Sequence, residues 1–136
     1  MTRLPERIRL LIADRSTAMR QTLLELVQED YNVVGEVEDG KHVLREIEAT
    51  TPGVVLLGVS FQGISGFEIA RRLRAAGNKV KIIFVSFDES ESLVQAALSG
   101  GAAGYVFMSR LLDDLPAALD AAARGCTFDP TRQKLS

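Results

Sequence analysis

The feature that most constrains this chain is a fivefold alternation: a short, largely apolar run followed by a longer stretch of helical period. Ile8–Ala13 is mostly apolar and closes on Asp14. Ser16 and Thr17 then supply capping hydroxyls for Ala18–Glu29, where Met19, Leu23, Leu26 and Val27 share a face. Valine-rich Tyr31–Val37 precedes a helical stretch opened by Asp39-Gly40, with Val43, Leu44 and Ile47 inward, that must end before Pro52. The pattern repeats as Val54–Val59 with Gly66–Ala76, closed by Gly77-Asn78, and as Val80–Val85 with Glu89–Ser99. It repeats last as Gly104–Met108 with the alanine-rich Leu111–Arg124, ended by Gly125.

Runs that are apolar at every position have no solvent face, so both sides need covering. Parallel strands joined by crossover helices supply that cover. The sequence therefore predicts an α/β fold, a doubly wound, five-stranded parallel sheet with helices on both faces. At 136 residues the chain is expected to form one domain, residues 1–126. Residues 127–136, polar and containing Pro130, are expected to form a mobile C-terminal tail.

Composition narrows the function classes. Sixteen Lys and Arg against 18 Asp and Glu, well mixed, give a formal charge of −2 and no surface suited to nucleic acid or anionic membrane. Arg71, Arg72 and Arg74 follow helical spacing, as a solvated helix face does. Cys126 stands alone, so no internal disulfide forms, and no Cys/His cluster offers a zinc site. His42 is expected at the surface. Leu10–Ala13 is too short for a signal-peptide core or a membrane span, which leaves the cytoplasm as the expected location.

In a doubly wound sheet the functional crevice lies beyond the carboxyl ends of the strands. The residues that matter there are Asp14, Arg15, Gly58, Ser86 and Met108. Gly58 stands where a working side chain is usual and has none; a glycine at a strand end also serves a bulge or a close backbone approach. Asp14 can cap a helix, pair with Arg15 or help hold a metal. Ser86 can act as a cap or turn residue or as part of a switch. Met108 suits an irregular apolar gap.

The segments "IRLLIADRS", "YNVVGEVEDG", "VVLLGVSFQGISGFEIARRLRAAG", "VKIIFVSFDESESLVQAALSGGAAGYVFMS" and "ALDAAARGCTF" resemble, in order and spacing, the receiver domain of bacterial two-component response regulators, in its NarL-like group. The resemblance spans roughly Arg7 to Pro130 and implies the CheY-like fold. It also implies a phosphorylation pocket: two acids after the first strand holding Mg²⁺, an acceptor Asp ending the third, a Ser or Thr after the fourth and a Lys after the fifth. Such chemistry needs a carboxylate nucleophile and cations to offset phosphoryl charge. Carried over by position, this chain has Asp14 and Arg15 for the acids, Gly58 for the acceptor, Ser86 kept, and Met108 for the Lys. Ser60 beside Gly58 lacks the base a hydroxyl nucleophile needs.

The pocket is therefore expected to be degenerate, with weak or absent Mg²⁺ binding, no cofactor and no catalysis. By the same resemblance Tyr105 is the aromatic coupled to Ser86, so the pair is the expected switch; a half-buried strand aromatic is the plainer use of Tyr105. Arg15 is a candidate to fix the pocket by its charge. The leading expectation is an atypical receiver that signals by protein contact without phosphorylation, with a signalling protein, a kinase or a regulator as partner. A homodimer through the fourth helix, fifth strand and fifth helix is a further expectation, with Leu93, Gln95, Ala96, Tyr105, Leu115 and Leu119 on or near that face. Two alternatives stay open: a phosphoacceptor receiver whose DNA-binding part lies outside this chain, and a pseudo-receiver that senses a small molecule.

Overall fold

Strand pairing sets the architecture. In the computed structural model, which describes residues 7–132, the strands are β1 (Arg9–Ala13), β2 (Asn32–Val37), β3 (Val54–Gly58), β4 (Lys81–Ser86) and β5 (Gly104–Phe107). They pair in the order β2-β1-β3-β4-β5, every pairing parallel. The helices are α1 (Thr17–Val27), α2 (Gly40–Thr50), α3 (Gly66–Ala75), α4 (Glu91–Ser99) and α5 (Leu111–Ala123). Strand order reverses beside β1, which places the crevice above the ends of β1 and β3.

The pleat sorts the apolar runs into two cores. Leu10, Ile12, Val54, Leu56, Ile83, Val85 and Val106 face α1 and α5. Leu11, Ala13, Val55, Leu57, Ile82, Phe84, Tyr105 and Phe107 face α2, α3 and α4. Each fully buried Leu or Ile is worth about 1.5–3 kcal/mol relative to exposure, which is why the inner strand positions are apolar, while polar Arg9, Asn32, Glu36, Lys81 and Ser86 stand at strand ends or on the edge strand β2. Caps fix the helix starts. Ser16 accepts from Met19 N–H, Asp39 from Lys41 N–H and Ser65 from Glu68 N–H.

The structure departs from expectation in four places. A short antiparallel hairpin, Ser60–Phe61 with Ile64–Ser65, follows β3. Helix α4 begins at Glu91 rather than Glu89, because Ser86 and Asp88 side chains take the backbone N–H groups of Asp88 and Ser90 and hold that stretch as a turn. Met108 leaves β5 and opens a 3-10 turn, Met108–Arg110.

The fourth difference concerns the expected mobile end. Phe128 is buried, pairs with Gly104 in a parallel bridge and packs into the core under α5; Pro130 is buried too. Residues 127–132 are thus docked on the outer edge of β5, while 133–136 lie outside the described residues. Gly104 makes the docking feasible: a Cβ there would come within 3.2 Å of the Phe128 Cβ.

Candidate functional site

The parallel sheet brings the predicted residues to one edge. Asp14 follows β1, Gly58 ends β3, Ser86 ends β4 and Met108 follows β5.

Gly58 occupies a regular strand position, paired with Val85, and its backbone is not in the left-handed region, so neither a bulge nor conformational freedom accounts for it. What favours glycine is the Asp14 carboxyl, which a larger residue would have to displace. A Cβ on Gly58 would lie 2.6 Å from Asp14 Oδ2 and 3.2 Å from its Cγ. The Asp14 carboxyl therefore fills the room above the end of β3.

Asp14 is buried and firmly placed. Its backbone N–H donates to Val37 O at 3.0 Å, its Oδ1 accepts from Ser16 N–H at 2.9 Å, and its carbonyl accepts from Arg20 Nη1 at 2.6 Å. Burial pushes the carboxyl above the ordinary Asp range, and the Ser16 N–H and the charges of Arg20 and Arg15 offset this only in part. Helix α1 is capped by Ser16, so Asp14 sets the turn before the cap rather than serving as the cap.

Arg15 is exposed and lines a cavity of about 520 Å³ with Glu38, Asp39, Lys41, Gln62 and Gly63. It acts on Asp14 through its charge, not through a hydrogen bond. Its side chain is exposed, so whatever hold it has on the pocket is this charge and not a direct bond. Met108 is half-buried against the α1 and α5 layer, where it lines a groove with Leu26 and Leu112, so the group filling the room at Gly58 is Asp14.

The other half of the edge is a hydrogen-bonded network. Tyr105 is fully buried, not half-buried, and its hydroxyl donates to Asp88 O at 2.8 Å. Ser86 Oγ accepts from Asp88 N–H at 2.9 Å, so Ser86 and Tyr105 hold the two sides of Asp88, its N–H and its carbonyl. Burial raises the Tyr105 hydroxyl above its ordinary range, the Ser86 hydroxyl opposes this, and the charge of Asp88 adds to it. The ring stands between Phe84, at 6.2 Å, and Phe107, edge-on at 5.7 Å. Ser86 is thus a turn residue linked to Tyr105 through Asp88. Glu89 extends the network by accepting from Ser109 Oγ at 2.6 Å.

Among the expected face residues, Gln95 and Ala96 are exposed and Leu93 is half-buried, whereas Tyr105, Leu115 and Leu119 are core. Sequence reasoning missed Phe87 and Leu112, which are 77% and 74% exposed. Phe87 follows a continuous apolar strand, and nothing local shows that it turns outward. Arg71 and Arg72 bind Glu68 and hold its carboxyl down at about 2, while Arg74 donates to Asn78, Val80 and Gly101 carbonyls. The arginine cluster is accounted for within the fold. Cys126 and His42 are exposed. No helix among the described residues is long and apolar enough to cross a membrane.

A five-stranded, doubly wound sheet with a Ser–Tyr pair on its last two strands and a buried acid after its first defines a class of signalling domain. The model of the response regulator receiver domain matches residues 10–120, and the chain belongs to that family. It is 31% identical over 122 residues to the transcriptional regulatory protein YxjL of Bacillus subtilis, covering 88% of this chain and 56% of that protein. It is 30% identical over 118 residues to the nitrate/nitrite response regulator NarL of Escherichia coli K12, covering 85% of this chain and 55% of that protein. The signal receiver domain of NarL from Mycobacterium tuberculosis superposes with a TM-score of 0.80 at 30% identity, covering 88% of this chain and 98% of that one. The chain is a receiver domain of the NarL/LuxR-like group, a two-component signalling module, and spans about half the length of the curated relatives it matches.

Proposed function

We propose that this receiver works without phosphorylation, as an atypical domain controlled by noncovalent protein contact. The observation that carries this reading is the end of β3, where Gly58 offers no nucleophile and the Asp14 carboxyl fills the space above it. Phosphoryl transfer to a receiver needs an attacking carboxylate flanked by cations. Here the acid after Asp14 is replaced by Arg15 and the lysine by Met108, so both the nucleophile and its charge compensation are altered. A single buried carboxyl with a raised proton affinity is a weak Mg²⁺ ligand, so binding of that ion is expected to be weak or absent.

The response half is retained. A partner that binds one position of the Ser86–Tyr105 pair more tightly than another shifts the domain toward it, with no covalent step. The partner is a signalling protein, a kinase or a regulator; this domain alone binds neither nucleic acid nor membrane, acts in the cytoplasm and carries no cofactor. A homodimer through α4, β5 and α5 would have to accommodate the docked residues 127–132. A small-molecule sensor would use the cavity beside Arg15, Glu38 and Lys41 rather than the space at Gly58, which the Asp14 carboxyl takes up.

A second reading is favoured by the relatives, which are transcriptional regulators about twice as long: a phosphoacceptor receiver whose DNA-binding part lies outside this chain. Pull-down with the purified domain, with and without acetyl phosphate and Mg²⁺, separates the two. The noncovalent reading predicts the same partner and the same yield in both conditions; capture that depends on the phosphodonor supports the second.

A further inference from the structure

The docked segment 127–132 is held at two points that share no atoms, one on β5 at Tyr105 and one on α4 at Gln95. Along the sheet edge, Phe128 N–H donates to Ala103 O at 2.9 Å and Phe128 O accepts from Tyr105 N–H at 3.3 Å. Across the helix layer, Asp129 Oδ2 accepts from Gln95 Nε2 of α4 at 3.2 Å. Asp129 also accepts from Thr131 N–H and Oγ1, shaping the Pro130–Arg132 turn. Burial alone would raise this carboxyl, but those bonds and the one from Gln95 hold it below the ordinary range. The segment wraps the sheet edge, with Phe128 in the α5-side core and Asp129 reaching the α4 side.

Tyr105 is the junction. Its hydroxyl fixes Asp88, in the loop leading to α4, while its own N–H holds the Phe128 carbonyl. An outward movement of the ring would break its bond to Asp88 in the loop before α4 and would act on the β5 backbone that pairs with Phe128. The Tyr105–Phe128 bond, at 3.3 Å, is already at the long end of the hydrogen-bond range and is the first expected to break. Both routes end on the same short segment.

We propose that Thr127–Arg132 is an output strap, docked while Tyr105 is held inward and loosened when the Ser86–Tyr105 pair changes state. The proposal deepens the noncovalent reading by naming what the switch moves, yet the coupling holds whatever triggers the switch. Coupling of this kind is reciprocal: whatever loosens the switch loosens the strap, and the reverse.

Amide hydrogen exchange and NMR on the full chain test it. Tyr105→Phe removes only the hydroxyl; Phe128 N–H exchange is expected to quicken at least about fivefold relative to Val55 N–H in β3, the internal standard for global opening. In the reverse direction, Gln95→Ala, and Gly104→Ala through its crowding of Phe128, are expected to shift the Tyr105 ring resonances. If Tyr105→Phe fails to fold, Ser86→Ala replaces it with the same expectation. Phe128 exchange unchanged relative to Val55, or strap variants that leave the Tyr105 ring unmoved, would overturn the proposal. Neither measurement involves a phosphodonor, so its failure is distinct from failure of the noncovalent reading.

Discussion

The two halves of the strand-end edge are built differently. Over β1 and β3 a buried carboxyl leans into the room of a missing side chain, and only its Oδ1 takes a backbone N–H. Over β4 and β5 three residues interlock: Ser86, Asp88 and Tyr105, with Phe84 and Phe107 flanking the ring. In the proposed reading the first half has lost the covalent trigger and the second keeps the response, so that a bound protein moves the domain.

The comparison can be broken most forcefully at Tyr105. Tyr105→Ala removes a fully buried ring and is expected to cost about 3–5 kcal/mol in urea unfolding; a cost near zero would mean that the response half is not a packed unit. Gly58→Ala comes next. Its methyl meets Asp14 Oδ2, and overpacking is expected to cost about 1–3 kcal/mol. Asp14→Ala should relieve that clash, so the double variant is expected to cost less than the sum of the singles, by about 0.5–3 kcal/mol of coupling. Strict additivity would separate the two residues and dissolve the account of why glycine stands there.

Tyr105→Phe keeps the ring and deletes one hydrogen bond, for an expected loss of about 1 kcal/mol. The smallest effect is the pH dependence of Asp14. Its folded pKa lies above the ordinary 3.8, so its contribution is fully present below 3.8 and is lost as pH rises through the folded value. Relative to Asp14→Asn, which can still accept from Ser16 N–H, the native protein should lose stability as pH rises above 3.8. Parallel stability–pH curves for the two proteins check this, and a difference of opposite sign contradicts the burial argument.

The fold was legible because its signals are local. Five apolar runs, the helix openers at Ser16 and Asp39-Gly40 and glycines near helix ends place the five sheet strands and the five α-helices, with edges shifted by turn chemistry such as that of Ser86 and Asp88. What stayed hidden depends on residues far apart in the chain. Phe128 is one apolar residue in a polar stretch, and its burial follows from Gly104 lacking a side chain. The occupant of the space at Gly58 could not be read from the neighbours of Gly58, because it arrives from β1. Leu115 and Leu119, expected on or near the α4–β5–α5 face, are core: a helical stripe serves core and interface alike, and only the packing against the sheet decides.

The most direct test of the central claim is the intact mass of the purified protein after incubation with acetyl phosphate and Mg²⁺. Control without phosphorylation predicts an unchanged mass. A gain of one phosphoryl group that hydroxylamine removes would contradict it, and would place an acyl phosphate on a carboxyl of this domain.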